Sequence, residues 1–273
     1  MFKKALWLLF VLSVSTLHAA DPSSTPRLNQ NFFIENKGQW QENVLFLAKL
    51  NGVNIWITRT GIVYDYYVIK NSRKEGKEIF EEKIRPDASN DSVRGDVLSF
   101  EFINARPVSE IETGEMAEGY FNYIIGNDPG RWASYVRRYG SVVLKNIYPG
   151  IDVVYTLEDG KFRYDFRIQP GADVSVIAFN VEGAEALNVS NTNELEIKTS
   201  LGLVKHGNIY AYQSRRGIKQ PVHCRFYNKS EKEIGLVVND YDISRELVID
   251  PLVYSTYLGG PYNYDEGCSK CDS

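Results

Sequence analysis

Two aspartates of this 273-residue chain sit where paired carboxylates could act on a bound substrate. Asp152 lies in the run 151–157 and Asp165 in the run 161–169, with Asp159-Gly160 between them. Asp-Gly suits a two-residue turn with φ > 0, so the two runs read as a hairpin. In that register the two aspartates are diagonal neighbours on one face, about 7 Å apart. That spacing is compatible with general acid and base work in a glycosidase. Arg163 and Arg167 share the face and supply ordinary ion pairs, which favours a structural role over catalysis.

The remaining reactive groups are sparse. Nucleophilic catalysis needs a base beside Ser, Cys or Thr, and beyond residue 20 the only histidines are His206 and His223. His223 adjoins Cys224, but neighbours on a strand point to opposite faces. Cys224 itself reads as a small buried hydrophobe. Cys268 and Cys271 form a single C-x-x-C, two of the four ligands that structural zinc needs. A local disulfide or free thiols fit them better. Asp128 with Asn127, and Asp265 with Glu266, lack the ligand spacing of a calcium loop. These observations assign no catalytic residue, no cofactor and no metal.

Aromatic residues are abundant, with 18 Tyr and 13 Phe, and Trp40, Trp56 and Trp132 lie beyond residue 20. Aromatic faces stack on sugars, but strands use the same residues as core. Trp132 follows the Asn127-Asp128-Pro129-Gly130 turn and is the best candidate for an exposed platform, although core packing is the favoured reading even there. Trp132, Asp128, Asp152 and Asp165 are therefore the residues singled out for ligand contact.

The elements that must position these groups are short runs rich in Val, Ile, Tyr and Phe, separated by Gly, Asn and Asp. Strands are expected at 44–50, 53–58, 62–69, 97–103, 141–147, 151–157 and 161–169. Further strands are expected at 175–181, 194–199, 202–206, 222–227, 234–239 and 246–249. The pattern predicts an all-β, antiparallel, sandwich-like architecture with long loops, in one lobe or in two meeting near 139–150. The hairpin around Asp159-Gly160 can be written out. Leu157 faces Phe162, Tyr155 faces Tyr164, Val153 faces Phe166 and Ile151 faces Ile168, which makes one side apolar. The other side pairs Asp152 with Arg167, and a one-residue slip would bury those charges. The segment 70–96 is rich in charge and contains Pro86, so it reads as a solvated loop.

At the N-terminus, Lys3 and Lys4 precede the apolar run 5–14 and a stretch of small residues ending at Ala19-Ala20. This is the layout of a cleavable signal peptide, 1–20. The run falls short of the roughly 20 residues that span a bilayer, so no stable membrane span is expected after cleavage. The product would be exported to the periplasm, the cell surface or the medium. Removing Lys3 and Lys4 leaves 29 basic residues against 35 acidic ones, a net charge of −6 rather than −4. No concentrated basic stripe is present, so nucleic acid is not an expected partner. Residues 21–31 read as a flexible lead-in.

Several motifs recur in order. Phe33-Ile34-Glu35-Asn36-Lys37-Gly38-Gln39-Trp40 opens the series. Asn122-Tyr123, Gly126-Asn127-Asp128-Pro129 and Trp132 follow. Then come the segment 148–155, Tyr164-Asp165-Phe166, Pro170-Gly171-Ala172-Asp173, Ile249-Asp250-Pro251 and the segment 254–260. This series resembles the N-terminal domain that precedes SBBP-type β-propeller repeats in secreted and surface proteins of Bacteroidota. The resemblance implies a β-rich domain over 32–253 and the start of a propeller-type repeat over 254–273. It also implies an extracellular architecture, and it brings no catalytic residues with it. The chain stops at Ser273 without a complete repeat or a sorting domain, as a truncated product would. The expected function is a non-enzymatic structural or interaction module whose partners are other domains, surface proteins or glycans. The alternative is a carbohydrate-active protein, either a glycan-binding module or a glycosidase using Asp152 and Asp165.

Overall fold

The computed structural model describes residues 32–70, 92–158 and 160–254. The expected signal peptide, the lead-in, the Cys268/Cys271 pair and all but the first residue of the expected repeat lie outside them. The described residues form strands, two single 3-10 turns (Pro129–Arg131 and Val174–Val176) and no α-helix. In chain order the strands are β1 (Phe33–Glu35), β2 (Val44–Leu50), β3 (Val53–Thr58), β4 (Gly61–Lys70), β5 (Ser92–Phe102), β6 (Ile111–Thr113), β7 (Phe121–Tyr123), β8 (Ala133–Val136), β9 (Arg138–Tyr139) and β10 (Ser141–Tyr148). They continue as β11 (Ile151–Glu158), β12 (Lys161–Ile168), β13 (Ala178–Glu182), β14 (Ala186–Val189), β15 (Leu195–Thr199), β16 (Gly202–Arg215), β17 (Ile218–Asn228), β18 (Glu233–Asn239) and β19 (Leu247–Tyr254).

Every ladder is antiparallel. One sheet runs β9-β1-β2-β3-β4-β5-β13-β18-β17. The other runs β6-β10-β11-β12-β19-β16, with β15 and β14 continuing from the first half of β16. The sheets join because β17 changes sheets midway, pairing with β16 through 218–222 and with β18 through 223–228. At the other seam the chain passes from β9 through Gly140 into β10, and Met116 bridges Tyr139. The all-β antiparallel architecture expected from the pattern is present, and it closes into a barrel.

The hairpin β11–β12 forms in the expected register, with all eight pairs from Ile151↔Ile168 to Glu158↔Lys161 in place. Three local expectations are corrected. Residues 92–96, read as loop, extend β5 along β4 as far as Lys70. Arg94, Gly95 and Val97 are exposed there, so the ladder holds the strand without an apolar face to announce it. Within 175–181 the strand starts only at Ala178. Asp173 accepts hydrogen bonds from the Ser175 N–H and hydroxyl, and these hold a 3-10 turn first. The strand expected at 202–206 runs on to Arg215 and turns into β17 through Arg216 and Gly217, at φ 52° and 79°.

The barrel interior is aromatic. Tyr64, Phe100, Tyr155, Tyr164, Phe166 and Phe179 are all buried, each adding roughly 1.5–3 kcal/mol by removal from water. A second, smaller core lies on the opposite face of β1. Alternation turns Phe33 into the barrel and Phe32 and Ile34 outward, where they meet Ala133 and Val136 of the β7–β8 hairpin.

Candidate functional site

The loop after β1 is organised by one side chain. Asn36 Oδ1 accepts from the Gly38 and Trp40 N–H groups, and its Nδ2 donates to the Gln41 and Val44 carbonyls. Gln39 completes the loop, accepting from the Lys37 N–H and donating to the Glu35 carbonyl. These bonds fix Trp40 over the outer face of β2–β4. Its ring stands perpendicular to Trp56 at 5.3 Å and steeply inclined to Tyr123 at 5.4 Å. A cleft opens beside the two tryptophans in two connected parts of about 380 and 390 Å³. Both parts are lined by Gln39, Trp40, Trp56 and Arg131.

The β7–β8 hairpin forms one wall. It is held by the Arg138 guanidinium, which lies 4.5 Å from the Phe32 ring and 5.0 Å from that of Phe121 and also donates to the Glu118 carbonyl. Lys37 reaches the Ser134 carbonyl at 3.0 Å. The outer side of the hairpin is bare: Tyr120, Ile124, Trp132 and Tyr135 are all exposed, and Ile125, 74 % exposed, lies at the rim of the cleft. The Tyr120 and Tyr135 rings touch at 4.6 Å. Tyr135 sits at φ 56°, left-handed backbone that a bulky side chain adopts only under constraint. It lies where the β7–β8 ladder is irregular, and the Asn122 side chain accepts from the Tyr135 N–H.

The residues singled out from the sequence are scattered. Trp132 is exposed rather than packed in the core, and its indole N–H donates to the Gly126 carbonyl and closes the hairpin loop. Asp128 caps the 3-10 turn, accepting from the Gly130 N–H, with Arg131 3.7 Å away. Asp152 is buried. One of its oxygens accepts from Lys145 Nζ at 2.5 Å and the other from the Asn146 N–H, so it clamps the irregular end of β10.

Asp165 does not work with Asp152. Extending the β12–β19 register by one residue sets it opposite Asp250, whose neighbour on the far side is Tyr210. Arg163 bonds both Asp250 and Glu158. One oxygen of each aspartate is buried without a donor. Burial, and then the Asp250 charge, push the Asp165 carboxyl up to about 7. The row Val154-Asp165-Asp250-Tyr210 lies along the outer face of the sheet. None of the clefts described above is lined by its residues.

Residues 33–252 match a family described as a domain of unknown function, DUF7948. The chain belongs to the DUF7948 family. Neither the curated proteins nor the solved structures contain a match. Within this DUF7948 domain the Trp40–Trp56 cleft and the Asp165–Asp250 pair were both missed by sequence reasoning. The run Glu35–Trp40 carried a signal for the first, because an Asn and a Gln flanking Lys-Gly before a Trp are residues that build side-chain-to-backbone turns. No local signal could pair Asp165 with Asp250, since 85 positions separate them in the sequence.

One histidine of the DUF7948 barrel lies in the interior. His206 is stacked on Phe100 at 4.7 Å, and neither ring nitrogen has a hydrogen-bond partner. Burial pulls it down to about 3, so it is neutral and serves as a flat ring in an aromatic core. Among the described residues no group of His, Cys, Asp and Glu is arranged to hold a metal ion.

Proposed function

We propose that this DUF7948 domain is a non-enzymatic interaction module of an exported protein, and that the outer side of the β7–β8 hairpin is the surface it presents. Tyr135 is the observation that carries the reading. Its left-handed backbone costs on the order of 1–3 kcal/mol, yet its ring is 64 % exposed and adds nothing to either core. Strain spent on displaying an aromatic ring supports a recognition role. Tyr120 and Ile124 extend the same surface, and clustered exposed apolar residues of this kind mark interaction sites.

The N-terminal Lys3-Lys4 and apolar run support export, to the periplasm, the cell surface or the medium. The ordered motif series supports placement of the domain ahead of SBBP-type propeller repeats in a surface protein of Bacteroidota. The partner on the hairpin face is then a neighbouring domain or another surface protein.

Site-specific photo-crosslinking in the native cells tests this. A benzophenone side chain at position 124 or 135 is expected to trap a discrete partner, and the same group at Glu185, on the far sheet, is not. Equal crosslinking at all three positions, or none at 124 and 135, would overturn the proposal.

A further inference from the structure

We propose that the cleft over the outer face of β2–β4, between Trp40, Trp56 and Arg131, binds an oligosaccharide. This goes beyond the hairpin reading and does not depend on what the hairpin contacts. The cleft has the dimensions of a small-ligand site, about 300–1,000 Å³, with two connected parts of about 380 and 390 Å³. The half-buried indoles of Trp40 and Trp56 meet at 89° and wall it on two sides. Aromatic rings offer an apolar, electron-rich face to the C–H side of a pyranose.

Hydroxyls around such a ring need donors and acceptors together. A carboxamide supplies both and a guanidinium supplies a fork of donors. Gln41 and Asn43 stand exposed at one end, with Arg131 shared by both parts and Lys49 at the other end. The Arg131–Asp128 contact is long and exposed, so it holds the guanidinium only weakly. The wall is also pre-formed. Asn36 and Gln39 together make six hydrogen bonds to the backbone of the loop around Trp40, which lowers the ordering cost of binding.

Other ligand classes fit less well. A peptide that binds by adding a strand needs a free edge. Here β2, β3 and β4 are each paired on both sides. Nucleic acid needs concentrated positive charge. Lys49 and Arg131 are offset by Asp65 and Asp128 nearby, in a chain of net charge −4.

The full chain titrated with cellohexaose, chitohexaose, laminarihexaose and hexagalacturonate, followed by tryptophan fluorescence and calorimetry, tests this. At least one is expected to bind with Kd below about 1 mM. Trp56→Ala should abolish that binding. Arg131→Ala and Gln41→Ala should each weaken it about tenfold, and Ile218→Ala, exposed at the start of β17 and outside the cleft, should leave it unchanged. Arg131 and Gln41 are exposed, so these two variants decide the matter if Trp56→Ala fails to fold. The proposal is overturned if none of the four probes binds at about 5 mM. It is also overturned if binding survives both Arg131→Ala and Gln41→Ala. Crosslinking at positions 124 and 135 is read separately, so failure here leaves that result standing and the reverse holds too.

Discussion

The barrel interior and the outer lobe built on β7–β8 use the same residue types for opposite ends. Inside the barrel, Tyr64, Phe100, Phe166 and Phe179 pack edge to face or tilted against one another, and even the hydroxyls of Tyr64, Tyr66 and Tyr155 are buried without a partner. In the lobe, four buried residues and a cation over two rings hold the hairpin, while Tyr120, Trp132 and Tyr135 face solvent. The interior accepts unpaired polar atoms to gain packed area. The lobe accepts exposed area, and one strained backbone position, to present rings. Stability therefore resides in the barrel, and the lobe is the part free to be specialised.

The largest expected effect breaks the first half of that contrast. Phe166→Ala should destabilise the whole domain by about 3–5 kcal/mol, because Phe166 is fully buried on the barrel side of β12 and touches Phe102, Tyr164 and Phe179. Val136→Ala, equally buried but in the small core, should cost only about 1–2 kcal/mol. It should raise hydrogen exchange in 120–136 while β11 and β12 stay protected. Denaturant titration and exchange of both variants check this. Equal global losses would mean that the lobe is one cooperative unit with the barrel.

The sequence disclosed the barrel better than the lobe. Alternation around Asp159-Gly160 dictated the β11–β12 register residue by residue, because one face of the pair is wholly apolar and turns inward and a slip would bury charge. β7, β8 and β9 are two to four residues long and held by tertiary contacts such as Arg138 over Phe32, so they have too few positions for a period to show. Closure of the barrel was hidden for a related reason. Residues 212–221, where β16 passes into β17, are mostly polar on both faces. Of the site, the turn before Trp132 was legible, but its composition pointed to core packing and the ring is exposed. The partner of Asp165 was not legible, because long-range strand pairing decides it.

Two titrations sharpen the comparison, with opposite signs. His206, at about 3 in the fold against 6.5 when unfolded, contributes stability that is present above 6.5 and lost as pH falls toward 3. His206→Phe should abolish that acid loss and stabilise the domain by about 1–3 kcal/mol, by removing two buried unpaired nitrogens. Asp165 runs the other way. Raised from 3.8 to about 7, it favours the fold below about 4 and loses that contribution as pH rises through 7. Asp165→Asn should gain about 1 kcal/mol at pH 8, where two like charges otherwise face each other across β12 and β19, and almost nothing at pH 4. In the parent chain the two slopes partly cancel between pH 4 and 6.5. Thermal melts of each variant across that range should therefore show a steeper pH dependence than the parent, in opposite directions. A flat profile for both would mean that neither group is as enclosed as its packing implies.

The smallest expected effect bears most directly on the lobe. Tyr135→Gly removes an exposed ring from a left-handed position, and glycine adopts that backbone at no steric cost. The gain from relieved strain is offset by the greater freedom of glycine in the unfolded chain, so the net change should be under about 1 kcal/mol and in the stabilising direction. A tyrosine at a position that glycine would fill as well or better supports a role for the ring outside the fold. The variant should melt at or above the parent temperature, while its benzophenone-at-124 crosslink to the partner disappears. Loss of more than about 2 kcal/mol instead would show that Tyr135 supports the lobe through Tyr120, and the contrast between a packed interior and a displayed surface would narrow to Ile124 at the hairpin tip.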